Sequence, residues 1–252
     1  MTDSSRTSAL SKPTRRRKRP RAPLRLPISP PEIMERLAAI YGPVVWEPRY
    51  NALDELIFTV LTQHTSDLNA ERAFESLRSR MPTWMDVIEA DATEVADAIR
   101  HGGLANQKSV RIQQILAAIL ERHGRLELEF LGDLPLGEAK AWLRDLPGVG
   151  PKTTAVVLSF SLGMPAMPVD THIHRVAKRL GLITLKTSAD DAHDVLENLV
   201  PPEDRFVFHV LLITHGRRIC KAPRPRCHEC PLRAPCPARP ALEKAGVTAK
   251  LG

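Results

Sequence analysis

Leu146-Pro147-Gly148-Val149-Gly150-Pro151-Lys152-Thr153 stands between two stretches with helical apolar spacing, residues 137–146 and 151–162. Two glycines one residue apart permit a tight turn and leave backbone N–H groups uncovered. Pro151 suits the first position of the following helix. A turn that feeds a helix N-terminus makes an anion site for which phosphate is a natural ligand. At Gly148, Val149 and Gly150 little side chain blocks the approach of a nucleic-acid backbone, and such a contact reads backbone rather than sequence. The same octapeptide also suits an ordinary helix–turn–helix corner.

Working outward, the pattern is helical almost throughout. Ser29 can cap a helix that opens with Pro30 and Pro31 and carries Ile33, Leu37 and Ile40 on one face. Asn51 can cap the next, with Leu53, Leu56, Ile57, Val60 and Leu61 aligned. Ser66 can cap a helix to Arg80, and Asp91 one that stops at Gly102-Gly103. A long helix is expected over 107–123, ended by Gly124. Asp170 can cap 171–180, Ser188 and Asp191 bracket another start, and 205–215 is the last clear helix. Strand-like alternation is confined to 126–130, too short for a sheet. The expected class is all-α, with about ten helices.

The 252 residues suit one or two domains, and no apolar run approaches a membrane span. The N-terminus lacks the apolar stretch of a secretory signal. The net charge of +7 is uneven: residues 1–26 carry +8, 27–216 carry −8, and 217–239 carry +6. Basic segments on an acidic body point to a polyanion, most often nucleic acid. Residues 1–28, rich in Ser, Pro and Arg, read as a disordered basic tail, which would otherwise be only a solvated arm.

Lys152 falls in the first turn of a helix, whose positive end disfavours its charge, and burial would add to this. A neutral amine there can attack a sugar C1′ and form a Schiff base, although a lone lysine is more often a phosphate contact. Asp170 can be a simple helix cap or, facing the same cleft, can stabilise a cationic sugar. The four cysteines, Cys220, Cys227, Cys230 and Cys236, are spaced C-x6-C-x2-C-x5-C. That spacing lacks the two short pairs of a zinc ribbon and suits a [4Fe–4S] cluster, with zinc as the alternative. Clustering within 17 positions argues against a disulfide framework and for a reducing compartment. Between the first two cysteines, Lys221, Arg224 and Arg226 with two prolines make a candidate phosphate clamp.

Taken in order, LPGVGPKT, VDTHI and the cysteine spacing resemble the endonuclease III family of helix–hairpin–helix DNA glycosylases, over roughly residues 31–236. The resemblance implies two helical domains flanking a DNA-binding cleft. One is a six-helix barrel over 46–164. The other is an iron–sulfur domain from 29–45 and 165–239, with 240–252 as a C-terminal tail. It places the family's nucleophile on Lys152, its aspartate on Asp170 and its cluster ligands on the four cysteines. Its duplex-probing leucine falls on Leu104, within Gly103-Leu104-Ala105-Asn106-Gln107-Lys108. A second strand-filling position falls on Gln63 and His64, and the histidine departs from the family's usual Gln or Asn.

The implied activity is excision of a damaged, oxidised pyrimidine from double-stranded DNA, followed by nicking of the abasic strand through β-elimination. Relatives acting on adenine lack the lysine and continue into a further domain, whereas 16 residues follow Cys236 here. A glycosylase for another base, such as an alkylated purine or a mismatch, stays open, as does a non-catalytic DNA-binding module. The expected protein is a monomer of the bacterial cytosol. The run 15–19 of arginine and lysine would be a nuclear address only in a eukaryotic setting.

Overall fold

A computed structural model describes residues 26–247. Among them are twelve α-helices and no strand. In chain order they are α1 (Pro30–Tyr41), α2 (Ala52–Leu61), α3 (Asp67–Arg80), α4 (Trp84–Glu89), α5 (Ala92–Ala98) and α6 (Ala105–His123). There follow α7 (Leu136–Arg144), α8 (Pro151–Val156), α9 (Thr171–Leu180), α10 (Ala189–Leu199), α11 (Arg205–Arg218) and α12 (Arg239–Val247). No described helix is long and apolar enough to cross a membrane. The basic segment 1–25 lies outside the described residues.

Helix starts follow local chemistry. Ser29, Asn51, Ser66, Asp170 and Ser188 each accept the backbone N–H three residues on. Each satisfies a donor that the helix leaves without a partner. Asp91 occupies its cap position without such a bond.

Buried apolar side chains form two clusters. The first runs from Ala52 to Ala166 and takes in α2 to α8, with Phe58, Leu61, Leu77, Ile112 and Leu158 at its centre. Inside it the Glu55 carboxylate is fully buried and paired with Arg49 at 2.6 Å, and the guanidinium lies over the Phe58 ring. The second cluster joins Ile33 and Leu37 of α1 to Ile173 and Val176 of α9, Leu196 of α10 and Phe208 and Leu212 of α11. Gly216 lets α11 close on α9, because a Cβ there would stand 3.0 Å from that of His172. Across the same face the Tyr41 hydroxyl bonds His215 Nδ1 at 3.1 Å, tying α1 to α11.

Several expectations are corrected. Ile28 is buried, so the packed chain begins before Ser29. Ile40 is half exposed: of the three aligned residues, Ile33 and Leu37 enter the second cluster and Ile40 does not, while Met34, Ala38 and Tyr41 pack against it. Helix α4 has no counterpart in the apolar pattern; its six residues are too few for a period, and a Thr83–Asp86 capping box holds it. Residues 129–133 form a 3₁₀ turn rather than alternating backbone, because the Glu129 carboxylate takes the N–H groups of Ala52 and Leu128. The C-terminal tail contains α12, anchored by Glu243 to Arg233 and Arg239. The pattern over 151–162 is not one α-helix: after Val156 it widens into a π turn, Val157–Ser161. The Trp46 indole N–H takes the Ser159 carbonyl at 2.8 Å there.

Between that turn and α9 the chain runs without helix or strand over 163–170, with Met164 N–H bonded to Leu158 O and Ala166 N–H to Met164 O. From Pro165 to Pro168 its backbone also meets side chains of α10 and α11. Arg205 donates to Pro165 O at 2.5 Å, and Glu197 accepts Met167 N–H at 2.9 Å. His193 and His209 donate from Nδ1 to Met167 O and Pro168 O, at 2.8 and 2.9 Å. A carbonyl can only accept, so each Nδ1 carries the proton. Burial lowers the pKa of His193 and lowers that of His209 to about 4. The unfolded chain therefore takes up protons first as pH falls from about 6.5. Stability from His209 is fully present above that pH and is lost on acidification toward 4, and His193 acts in the same direction. Each imidazole contributes at most about 1.4 kcal/mol per pH unit. Urea midpoints measured between pH 4 and 7 should fall less steeply in His193→Asn and His209→Asn, whose amides donate without titrating. Unchanged slopes would assign the acid sensitivity to other groups.

Candidate active site and nucleic-acid interface

The hairpin forms as a tight turn. Gly148 has φ of +68°, Val149 N–H returns to Leu146 O at 3.2 Å, and Gly150 is the N-cap residue of α8. Gly148 is required by its left-handed backbone, and the guanidinium of Arg111 from α6, the movable end of a long side chain, lies where a Cβ would stand. Arg111 is exposed and adds a cation to the hairpin that sequence reading missed. Nothing local marks it, since its neighbour lies in a different helical connection.

Lys152 is the second residue of α8 and is exposed, so the burial expected to help neutralise its amine is not supplied. Asp170 accepts Ile173 N–H through Oδ1 at 2.7 Å. That is the one hydrogen bond of its carboxylate among the described residues, so Oδ2 keeps its lone pairs for another partner. Behind both stands His209, buried and edge-on to Phe160 in the π turn. Besides burial and its bond to Pro168, His209 feels the Asp170 carboxylate, which raises its pKa, and the Lys152 and Arg217 cations, which lower it. The two candidate catalytic charges thus act on one buried ring. Sequence reading missed His209, whose only signal is one apolar-face histidine among several.

The strand-filling candidates share a backbone peculiarity. Among the described residues, His64 and Leu104 are the two non-glycines with positive φ, at 55° and 50°. Such strain persists only where surrounding structure enforces it, and it concentrates at functional sites. Leu104 is 49 % exposed, a large apolar side chain held out into solvent, and His64 is exposed as well. Gln63 is half-buried on the same corner. The two corners adjoin: a Cβ on Gly103 would lie 3.9 Å from His64 O.

Cys220, Cys227, Cys230 and Cys236 line one cavity with Val176, Leu180 and Leu242. Arg179 holds its rim, donating to Cys220 Sγ at 3.3 Å and to the Lys221 and Ala222 carbonyls at 2.8 and 3.0 Å. Burial raises the thiol pKa of Cys227 and Cys236 and pushes that of Cys230 up to about 11. Thiols so placed stay protonated at neutral pH unless positive charge enters the cavity. Among the described residues, no three His, Cys, Asp or Glu side chains gather as around one metal ion. On the loop outside, Lys221 and Arg224 are exposed without ion pairs to described residues. Arg226, exposed as well, bridges to Glu229 at 2.9 Å and donates to Arg218 O, so of the three expected clamp cations it is the one ion-paired to a described residue.

The sequence profile of the HhH-GPD superfamily base excision DNA repair proteins matches residues 57–202, which contain the hairpin, Lys152 and Asp170. The chain belongs to this family. Within it, the chain is 35% identical to endonuclease III of Thermotoga maritima over 181 residues, covering 72% of this chain and 80% of that one. A candidate DNA glycosylase of Arabidopsis thaliana is 41% identical over 170 residues, covering 68% of this chain and 58% of that one. A trapped covalent intermediate of endonuclease III with DNA superposes with TM-score 0.73 and 30% identity, covering 85% of this chain and 98% of that one. The fold is that of endonuclease III, and the protein is a DNA glycosylase of base excision repair.

For this endonuclease III-like glycosylase the loop makes a quantitative prediction. Removing one cation that neutralises a phosphate should lower the slope of log K against log salt by about 0.9. Lys221→Ala with Arg224→Ala should lower it by about twice that amount, and Arg226→Ala alone by much less. Equal effects from all three would show that Arg226 leaves Glu229 to meet DNA.

Proposed function

We propose that this glycosylase removes oxidised pyrimidines from duplex DNA and then nicks the abasic strand. The observation that carries the reading is that Lys152, exposed at the start of α8, and Asp170, with one carboxylate oxygen free of described partners, both act on the buried ring of His209. An enzyme acting on a base must first take it out of the stack. The hairpin, Arg111 and the Lys221–Arg224 loop grip phosphates, while His64 and Leu104 occupy the gap. The Lys152 amine then attacks C1′, and the N-glycosidic bond breaks with its electron pair leaving on the base. The amine loses a proton and the sugar ring opens to a Schiff base. Loss of a C2′ proton expels the 3′ phosphate, which is β-elimination. Asp170 stabilises positive charge on the sugar and relays protons. The endonuclease III that shares this fold has been trapped as a covalent intermediate on DNA, which supports the lysine route.

The four cysteines would hold a [4Fe–4S] cluster. Four soft thiolates lining one cavity suit it, and the C-x6-C-x2-C-x5-C spacing lacks the two short pairs of a zinc ribbon. When bound, the cluster supplies the positive charge that keeps these thiolates ionised and cross-links the loop that carries Lys221 and Arg224. It takes no part in the excision step. We take the working form to be a monomer in a bacterial cytosol.

Borohydride should trap the wild-type protein on abasic DNA and should not trap Lys152→Ala; equal trapping would remove Lys152 from the mechanism. Asp170→Asn should bind DNA and slow turnover at least about tenfold, a barrier increase of roughly 1.4 kcal/mol. Near-normal turnover would leave Asp170 as a cap alone. Protein purified without oxidation should be brown, with about four irons per chain. One zinc and no colour would overturn the cluster.

A further inference from the structure

Lys108 lies in the first turn of α6 and is 5% exposed. Among the described residues no carboxylate meets it: its ammonium donates to two backbone carbonyls, Leu61 O and Gly102 O, each at 2.7 Å. Leu61 ends α2, so its carbonyl is one that the helix leaves without a partner, and it leads into the His64 corner. Gly102 ends the turn that leads into the Leu104 corner. The backbone N–H of Lys108 also takes Leu104 O at 3.0 Å. One side chain therefore fastens the stems of both left-handed corners.

We propose that Lys108 is the positioning residue that locks the His64 and Leu104 corners into a single rigid wedge, so that both sides of an emptied base position are filled together. The proposal rests on the gap-filling reading of those corners. Burying an ammonium against carbonyls alone is unfavourable, and burial here lowers the Lys108 pKa to about 8. A residue serving only the core would be better replaced by an apolar side chain of the same length. What an apolar chain cannot do is hold two carbonyls of separate segments at one point. The strained φ values at His64 and Leu104 need such enforcement.

The test compares wild type with Lys108→Met, which keeps length and removes the donors. Single-turnover base release from a damaged duplex should fall roughly tenfold, the order expected when a buried charge-assisted hydrogen bond is removed. Nicking of single-stranded abasic DNA, which has no gap to fill, should change little. Fluorescence of 2-aminopurine placed opposite an abasic site should report a less disturbed base with Lys108→Met than with wild type. Measured in a Lys152→Ala background, that signal requires binding and no chemistry, so a failure of the lyase reading leaves it intact. A cycle with Leu104→Ala should be non-additive, since both changes act through the same wedge. Should Lys108→Met not fold, Lys108→Gln, with amide donors on a shorter stem, should show the same split in milder form. Equal loss on duplex and single strand, unchanged fluorescence, or additive effects would overturn the proposal.

Discussion

The structure depends on how an irregular piece of backbone is satisfied where no helix or sheet can do it. Residues 163–170 carry the chain from the lysine-bearing helix to the aspartate-bearing one, passing from one apolar cluster to the other. A buried segment of this kind would leave amides and carbonyls without partners. Arg205, Glu197, His193 and His209 supply those partners from α10 and α11. Two of the four are neutral imidazoles, which donate one hydrogen bond without carrying an uncompensated charge into the interior. The position of Asp170 is thus set by side chains more than 20 residues away in sequence, and only its last increment by its own cap bond to Ile173.

The same arrangement separates two duties of one carboxylate. A capping aspartate is ordinarily explained by the helix it starts. Here one oxygen suffices for the cap, and the ring behind it senses both Asp170 and Lys152. The π turn after α8 belongs to this design: it shifts Phe160 against His209 while Trp46 takes up a carbonyl of the widened turn.

What is legible in the sequence is local. Ser29, Asn51, Ser66, Asp170 and Ser188 announce their helices because a cap bond spans three residues. The hairpin is legible for the same reason, as are the four cysteines that share one cavity. Lys108, Arg111 and His209 are not, because each meets its partner across a long stretch of chain: Lys108 reaches Leu61 over 47 residues and His209 reaches Pro168 over 41. Helix α4 escapes because six residues show no period, and the π turn because the apolar pattern of 157–161 is equally that of an α-helix. The Arg226–Glu229 pair spans only three residues and is within reach of a local reading, but counting the loop's cations leaves out the acid beside them.

The link between Tyr41 and His215 has a consequence for how the chain is made. Those residues are 174 positions apart, so α1 leaves the ribosome long before its partner α11 exists. At roughly 5–20 residues per second the delay is about 9–35 s. For most of it, Ile33 and Leu37 lack the α9 to α11 side chains they pack against, while the chain from Ala52 to Ala166 can complete its own cluster. Synthesis therefore favours a nascent protein whose hairpin half is packed first, with the N-terminal helix waiting as an apolar segment exposed to chaperones until the last third of the chain arrives.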